Sequence, residues 1–213
     1  MRCIGSGDQL RCERNTGRKK LMRLFVVLLV IGQALLAKDL VDYISQMDDA
    51  SGQFLLETID DGDVLSTSSG SFSLKKPNFL YWQQTLPVER LIVGDGHWLW
   101  IDDPALNQTQ KRVYDTEMTQ IPLLSWLVDS KKLEDQYVIR KEDHHTHLVF
   151  YLTHRLGPDD DSIVITISDG NYHIIQSDHI GIDTHLMLTF DQPTRQYEFG
   201  FIPPLGRDVI VQQ

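Results

Sequence analysis

The stretch Ser162-Ile163-Val164-Ile165-Thr166-Ile167-Ser168-Asp169-Gly170-Asn171-Tyr172-His173-Ile174-Ile175-Gln176-Ser177 decides the fold class. Side chains of an extended chain alternate between two faces, so Ile163, Ile165 and Ile167 share one face. Asp169-Gly170 is a pair that a tight hairpin turn favours, because the turn needs positive φ at its centre. A second β-rich run, Tyr172 to Ser177, follows. Strand, tight turn and returning strand predict an antiparallel hairpin.

The same signals recur on both sides. Candidate strands are Phe54 to Ile59, Val64 to Lys75, Phe79 to Gln84, Arg90 to Gly94, His97 to Asp102, Thr109 to Tyr114, Gln136 to Glu142, His147 to Thr153, Thr184 to Phe190 and Gln196 to Phe201. Asp61-Gly62, Asp95-Gly96, Gly157-Pro158-Asp159 and Asp191-Gln192-Pro193 punctuate them. Many short strands with tight turns predict a mainly β (α+β) fold, an antiparallel sheet that curls toward a barrel. Two helices are expected on its concave side. Leu40, Ile44 and Met47 fall at i, i+4 and i+7 between Asp39 and Asp49. Thr119 to Lys132 has Pro122 in its first turn and Lys131 and Lys132 at its end. Its residues Ile121, Leu123, Leu124, Trp126, Leu127 and Val128 cover most of the helix circumference, which requires burial on more than one side.

The chain has 213 residues, 41% apolar, with a formal net charge of -10. Those values exclude disorder and a generic nucleic-acid binder. The charge is unevenly spread. Residues 1–37 carry seven basic and two acidic side chains, a net of +5, whereas the other 176 residues carry a net of -15. The basic run Arg18, Lys19, Lys20, Arg23 precedes the apolar stretch Leu24 to Ile31, which continues to Ala37. This is the arrangement of a secretory signal peptide, with cleavage expected near Ala37 and a single domain from 38 to 213. Met22 opens a more compact signal, which marks residues 1–21 as a candidate over-extension of the start. An uncleaved anchor helix is the alternative. Both cysteines, Cys3 and Cys12, precede the apolar run, so the exported part has no disulfide, no thiolate metal site and no lipid-bearing cysteine.

Catalysis finds little support. His144, His145 and His147 form a tight cluster behind Glu142 and Asp143, and such groups can bind zinc, but no fourth ligand or supporting shell is visible. A polar turn between two strands accounts for the cluster as well. Asp159, Asp160 and Asp161 lack the ligand spacing of an EF-hand and read as a solvated loop. No nucleophile elbow, zinc-protease, P-loop or dinucleotide motif occurs. The expectation is no catalytic residue, no metal and no cofactor.

Phe79, Tyr81, Trp82, Trp98 and Trp100 crowd one segment, which suits an ordinary core or the wall of an apolar cavity. Here the residues carry a likeness. Lys75-Lys76-Pro77-Asn78-Phe79-Leu80-Tyr81-Trp82, then Pro87, then Val93-Gly94-Asp95-Gly96-His97-Trp98-Leu99-Trp100-Ile101-Asp102-Asp103-Pro104 and Gln108, resembles the outer-membrane lipoprotein carrier family, LolA. Gly52-Gln53-Phe54 and Phe199-Gly200-Phe201-Ile202-Pro203-Pro204-Leu205-Gly206 agree with it, as does the Pro-Leu-Leu helix after Ile121. The likeness covers roughly residues 38 to 211.

The resemblance implies a periplasmic chaperone whose incomplete antiparallel barrel holds an apolar cavity under helices that act as a lid. Its implied partners are acylated lipoproteins, an inner-membrane ATP-driven lipoprotein-releasing complex and an outer-membrane acceptor lipoprotein, with the carrier a monomer. It also implies acyl-chain contacts from Phe54, Phe72, Leu80, Trp82, Trp98 and Trp100 on the sheet, and from Leu123, Leu124, Leu127 and Val128 on the lid. A basic residue before the Pro, usually Arg, latches the lid backbone in the family; here it is Lys76, with a compact ammonium in place of a planar fork. Leu80 stands where an aromatic is frequent. An acceptor or envelope-stress sensor of the same fold, and a metal-dependent hydrolase, are the competing readings.

Overall fold

The computed structural model describes residues 40–45, 49–114, 131–156, 162–191 and 197–212. The expected signal peptide, the apolar helix positions Ile121 to Val128 and the loop Asp159 to Asp161 lie outside the described residues.

Among the described residues, twelve strands form one sheet: β1 (Asp49–Asp60), β2 (Asp63–Lys75), β3 (Phe79–Leu86), β4 (Arg90–Asp95), β5 (Trp98–Asp103), β6 (Gln108–Val113), β7 (Tyr137–His144), β8 (His147–His154), β9 (Ser162–Ser168), β10 (Asn171–Ser177), β11 (Ile182–Phe190) and β12 (Asp208–Val211). Their order across the sheet is β12-β6-β5-β4-β3-β2-β1-β11-β10-β9-β8-β7. The sheet is open and curved, with edges at β12 and β7. Every pairing is antiparallel except that of β12, which lies parallel to β6.

The Asp-Gly pairs behave as turn chemistry demands. Asp61 and Gly62 have φ of 47° and 86°, and Asp169 and Gly170 have 49° and 78°, the paired positive angles of a two-residue hairpin turn. At Asp95-Gly96 the side chain helps: Asp95 Oδ1 accepts the backbone N–H groups of His97 at 2.9 Å and Trp98 at 2.7 Å. The histidine cluster is also a turn. His145 occupies it, while His144 and His147 face each other across the ladder with ring centroids 4.7 Å apart.

Two segments depart from the sequence reading. Residues 197–201 are not a strand, although Tyr197, Phe199 and Phe201 alternate as one would. Their rings lie on those of Tyr81, Phe79 and Trp100, at centroid distances of 4.8, 5.5 and 5.7 Å. The alternation serves a segment lying on the sheet's face, where the described residues offer its backbone no ladder partner. The last strand, β12, comes later instead. The chain returns to β6 through Asp208 N–H bonding the Asn107 carbonyl at 3.1 Å.

Residues 40–45 are helical, and Leu40 and Ile44 are fully buried. A short helix, Lys131–Gln136, buries Leu133 and leads into β7. Cross-strand register assigns the faces. Leu99, Gly94, Leu80, Leu74 and Ala50 form one row, and Ile101, Ile92, Trp82, Phe72, Gly52 and Phe190 the next. A third row runs Ile167, Tyr172, Leu188, Phe54 and Gly70. This is the face that carries the apolar core.

The inner apolar face as candidate functional site

Four predicted sheet residues meet on this inner face. Phe54 stacks on Trp82 with ring centroids 3.8 Å apart and planes 22° from parallel. Phe72 lies 6.1 Å from Trp82 and meets Phe190 edge-on at 5.5 Å. Leu80 is fully buried beside them. Gly94 is required in the same row, since a Cβ there would sit 2.4 Å from the Tyr114 ring. The result is a continuous apolar surface spanning β1 to β5 and β7 to β11.

The helical residues 40–45 lie over this surface and are tied down by two side chains. Lys76 Nζ, at the start of the β2–β3 connection, donates to the Ile44 carbonyl at 3.0 Å. Tyr172, on β10, donates its hydroxyl to the carbonyl of the preceding residue, Tyr43, at 3.2 Å. The Tyr43 ring packs edge-on against Phe150 at 6.2 Å. Burial, with a smaller contribution from Tyr43, pushes the Tyr172 hydroxyl up to about 12, so it remains a donor at neutral pH.

Trp98 and Trp100 correct the sequence reading, which set them in the cavity. They occupy the opposite face of β5, because Leu99 and Ile101 take the inner positions. Lys111 Nζ lies 4.1 Å from the Trp98 ring centroid and 4.8 Å from that of Trp100. The Trp100 indole N–H donates to Asp95 Oδ2 at 2.9 Å. Burial acts to raise the Asp95 carboxyl, but the Trp100, Trp98 and His97 donors and the Lys111 charge outweigh it and hold it below its ordinary value. This outer face is where residues 197–201 lie, and the return is clamped by charge. Arg207 Nη2 donates to Asp102 Oδ2 at 3.0 Å, Nε lies 2.9 Å from Oδ1, and the Thr109 hydroxyl donates to Oδ1 at 2.6 Å.

Leu123, Leu124, Leu127 and Val128 lie outside the described residues. Sequence reading missed Tyr43, Phe150, Tyr172 and Phe190 as parts of this face. Alternation around Ile165 and Tyr172 was a signal for the last three, since ladder partners inherit a face. Among the described residues, no three metal-ligating side chains converge, and no helix is long and apolar enough to cross a membrane.

Residues 45–189 match the family profile described as "Outer membrane lipoprotein carrier protein LolA". The chain belongs to the LolA family. Among similar proteins, the outer-membrane lipoprotein carrier protein of Azotobacter vinelandii is 28% identical over 211 residues, covering 89% of this chain and 99% of its own. That of Pseudomonas paraeruginosa is 26% identical over 200 residues, covering 88% and 96%. A Xylella fastidiosa protein of the same name is 34% identical over 105 residues, a match that spans 49% of this chain and half of that one. The LolA-like motifs quoted above divide between the two faces: Phe54, Leu80 and Trp82 turn inward, while Trp98, Trp100, Phe199 and Phe201 form the outer aromatic layer.

Proposed function

We propose that this chain is a periplasmic carrier of acylated lipoproteins, acting as a single-domain monomer rather than as an enzyme. It takes its cargo from an inner-membrane ATP-driven releasing complex and hands it to an outer-membrane acceptor lipoprotein. The observation that carries the reading is the apolar face of Phe54, Phe72, Leu80 and Trp82 in a LolA-family sheet, with a helix held across the same face by Lys76.

The physical need is plain. At about 0.8 kcal/mol per buried CH₂, one long acyl chain gains on the order of 10 kcal/mol by leaving water. A carrier must bury such chains, yet release them without a nucleotide of its own. A face that is closed by its own residues when empty meets both requirements. Part of the acyl-binding energy goes into separating contacts such as the Phe54–Trp82 stack and the Lys76–Ile44 bond, so net affinity stays moderate. Leu123, Leu124, Leu127 and Val128 are proposed as the matching acyl contacts on the lid.

Depletion of the protein in its parent cell, followed by membrane fractionation, tests the role. Outer-membrane lipoproteins accumulating in the inner membrane or periplasm support it; normal delivery contradicts it.

A further inference from the structure

We infer that Tyr172 is a second latch on the helix, paired with Lys76 and acting from the opposite half of the sheet; the inference rests on the carrier reading above. Lys76 and Tyr172 bind the carbonyls of consecutive residues, Ile44 and Tyr43. Successive carbonyls of an α-helix are rotated by about 100° around its axis. The two donors therefore grip the helix from different sides. They also belong to different regions of the sheet: Lys76 follows β2, and Tyr172 lies on β10, with β1 and β11 between.

The chemistry of Tyr172 fits a latch better than a filler. Its side chain is only 6% exposed and its ring meets Phe190 edge-on at 5.4 Å. A phenylalanine would give the same apolar burial without a hydroxyl, and a buried hydroxyl is costly unless bonded. The bond it makes is to the helix, the element that must shift to uncover the face. Tyr172 stands in the same cross-strand row as Leu188 and Phe54, so releasing the helix from Tyr172 opens the row that holds Phe54, whose ring stacks on Trp82 of the neighbouring row. The hydroxyl thus belongs to the closed state alone and biases the equilibrium against loading.

The test compares bis-ANS binding and uptake rate in the wild-type protein, Tyr172→Phe, Lys76→Met and the double variant, with urea unfolding measured on each. A latch predicts that Tyr172→Phe takes up the probe with affinity and rate raised about threefold to tenfold. It also predicts that the double variant exceeds either single one. Unchanged uptake in Tyr172→Phe, with or without a lower urea midpoint, assigns the hydroxyl to stability alone and overturns the latch. Absence of saturable probe binding in the wild-type protein overturns the carrier reading itself, and the latch with it. Should Tyr172→Phe fold poorly, Tyr172→Leu removes the same hydroxyl with a smaller apolar side chain: uptake must again rise above wild type, and unchanged uptake overturns the latch.

Discussion

Lys76 and Ile44 stand 32 positions apart in the chain and meet through a 3.0 Å hydrogen bond from the side-chain ammonium to the backbone carbonyl. A hydrogen bond from an ammonium to a buried carbonyl is stronger than a neutral pair and cannot be replaced by an apolar side chain of equal length. Replacing Lys76 with Met should lower stability by about 1–2 kcal/mol, read as a reduced urea midpoint at constant m-value. Lys76→Arg, which keeps a cationic donor at the same place, should retain most of the wild-type stability. Wild-type stability in Lys76→Met contradicts the assignment.

The Phe54–Trp82 stack makes its own prediction. Trp82 is 6% exposed and contacts both Phe54 and Phe72, so Trp82→Ala removes a large buried ring that its neighbours can only partly refill. The expected cost is about 3–5 kcal/mol by chemical denaturation, and clearly less for Trp82→Phe. A loss near that of an exposed site would show that the face is not packed as described.

Arg207 and Asp102 form a charge pair of a different kind, with side chains 13% and 8% exposed. Removing Arg207 strands a buried carboxylate, which costs about 3–5 kcal/mol and more than the pair itself contributes. Arg207→Ala should therefore destabilise strongly and expose residues 197–211 to proteases. Adding Asp102→Asn should recover part of the loss. Strict additivity in that double-mutant cycle contradicts coupling between the two.

Sequence reading succeeded where information is local and stopped where it is not. Ser162–Ser168 was legible because its isoleucines alternate and Asp169-Gly170 closes the turn. Tyr197, Phe199 and Phe201 alternate equally well, yet they answer to rings on another strand's face, which no local pattern reports. Asp208–Val211 is too short to signal a strand, and its parallel partner β6 lies about a hundred residues away, as the Arg207–Asn107 contact shows. For Trp98 and Trp100, the period of two correctly separated them from Leu99 and Ile101. It could not say which side carries the core, because the outer side is also covered with aromatic rings. Lys76 was legible as a latch candidate only through the family likeness; its partner on the helix had no sequence signal.

On the outer face, His173 of β10 and His185 of β11 lie with ring centroids 5.4 Å apart, and Glu57 of β1 is the ladder partner of His185. Burial first, then His185, lowers the His173 imidazole below its ordinary value; Glu57 opposes this. A base depressed in the folded state adds stability that is present above the unfolded pKa and is lost as pH falls through the folded one. Melting temperature should therefore drop as pH goes below about 6.5, and His173→Gln should flatten part of that slope. An identical slope in the variant contradicts a role for His173.

Whether the inner face takes acyl chains is read from titration of the purified protein with a triacylated lipopeptide, followed by displacement of bis-ANS. The triacylated form should displace the dye saturably and the same peptide without acyl chains should not; Phe54→Asp should lose the displacement while Trp98→Ala retains it. Equal displacement by the unacylated peptide, or no saturable displacement at all, would mean that the face does not bind acyl chains.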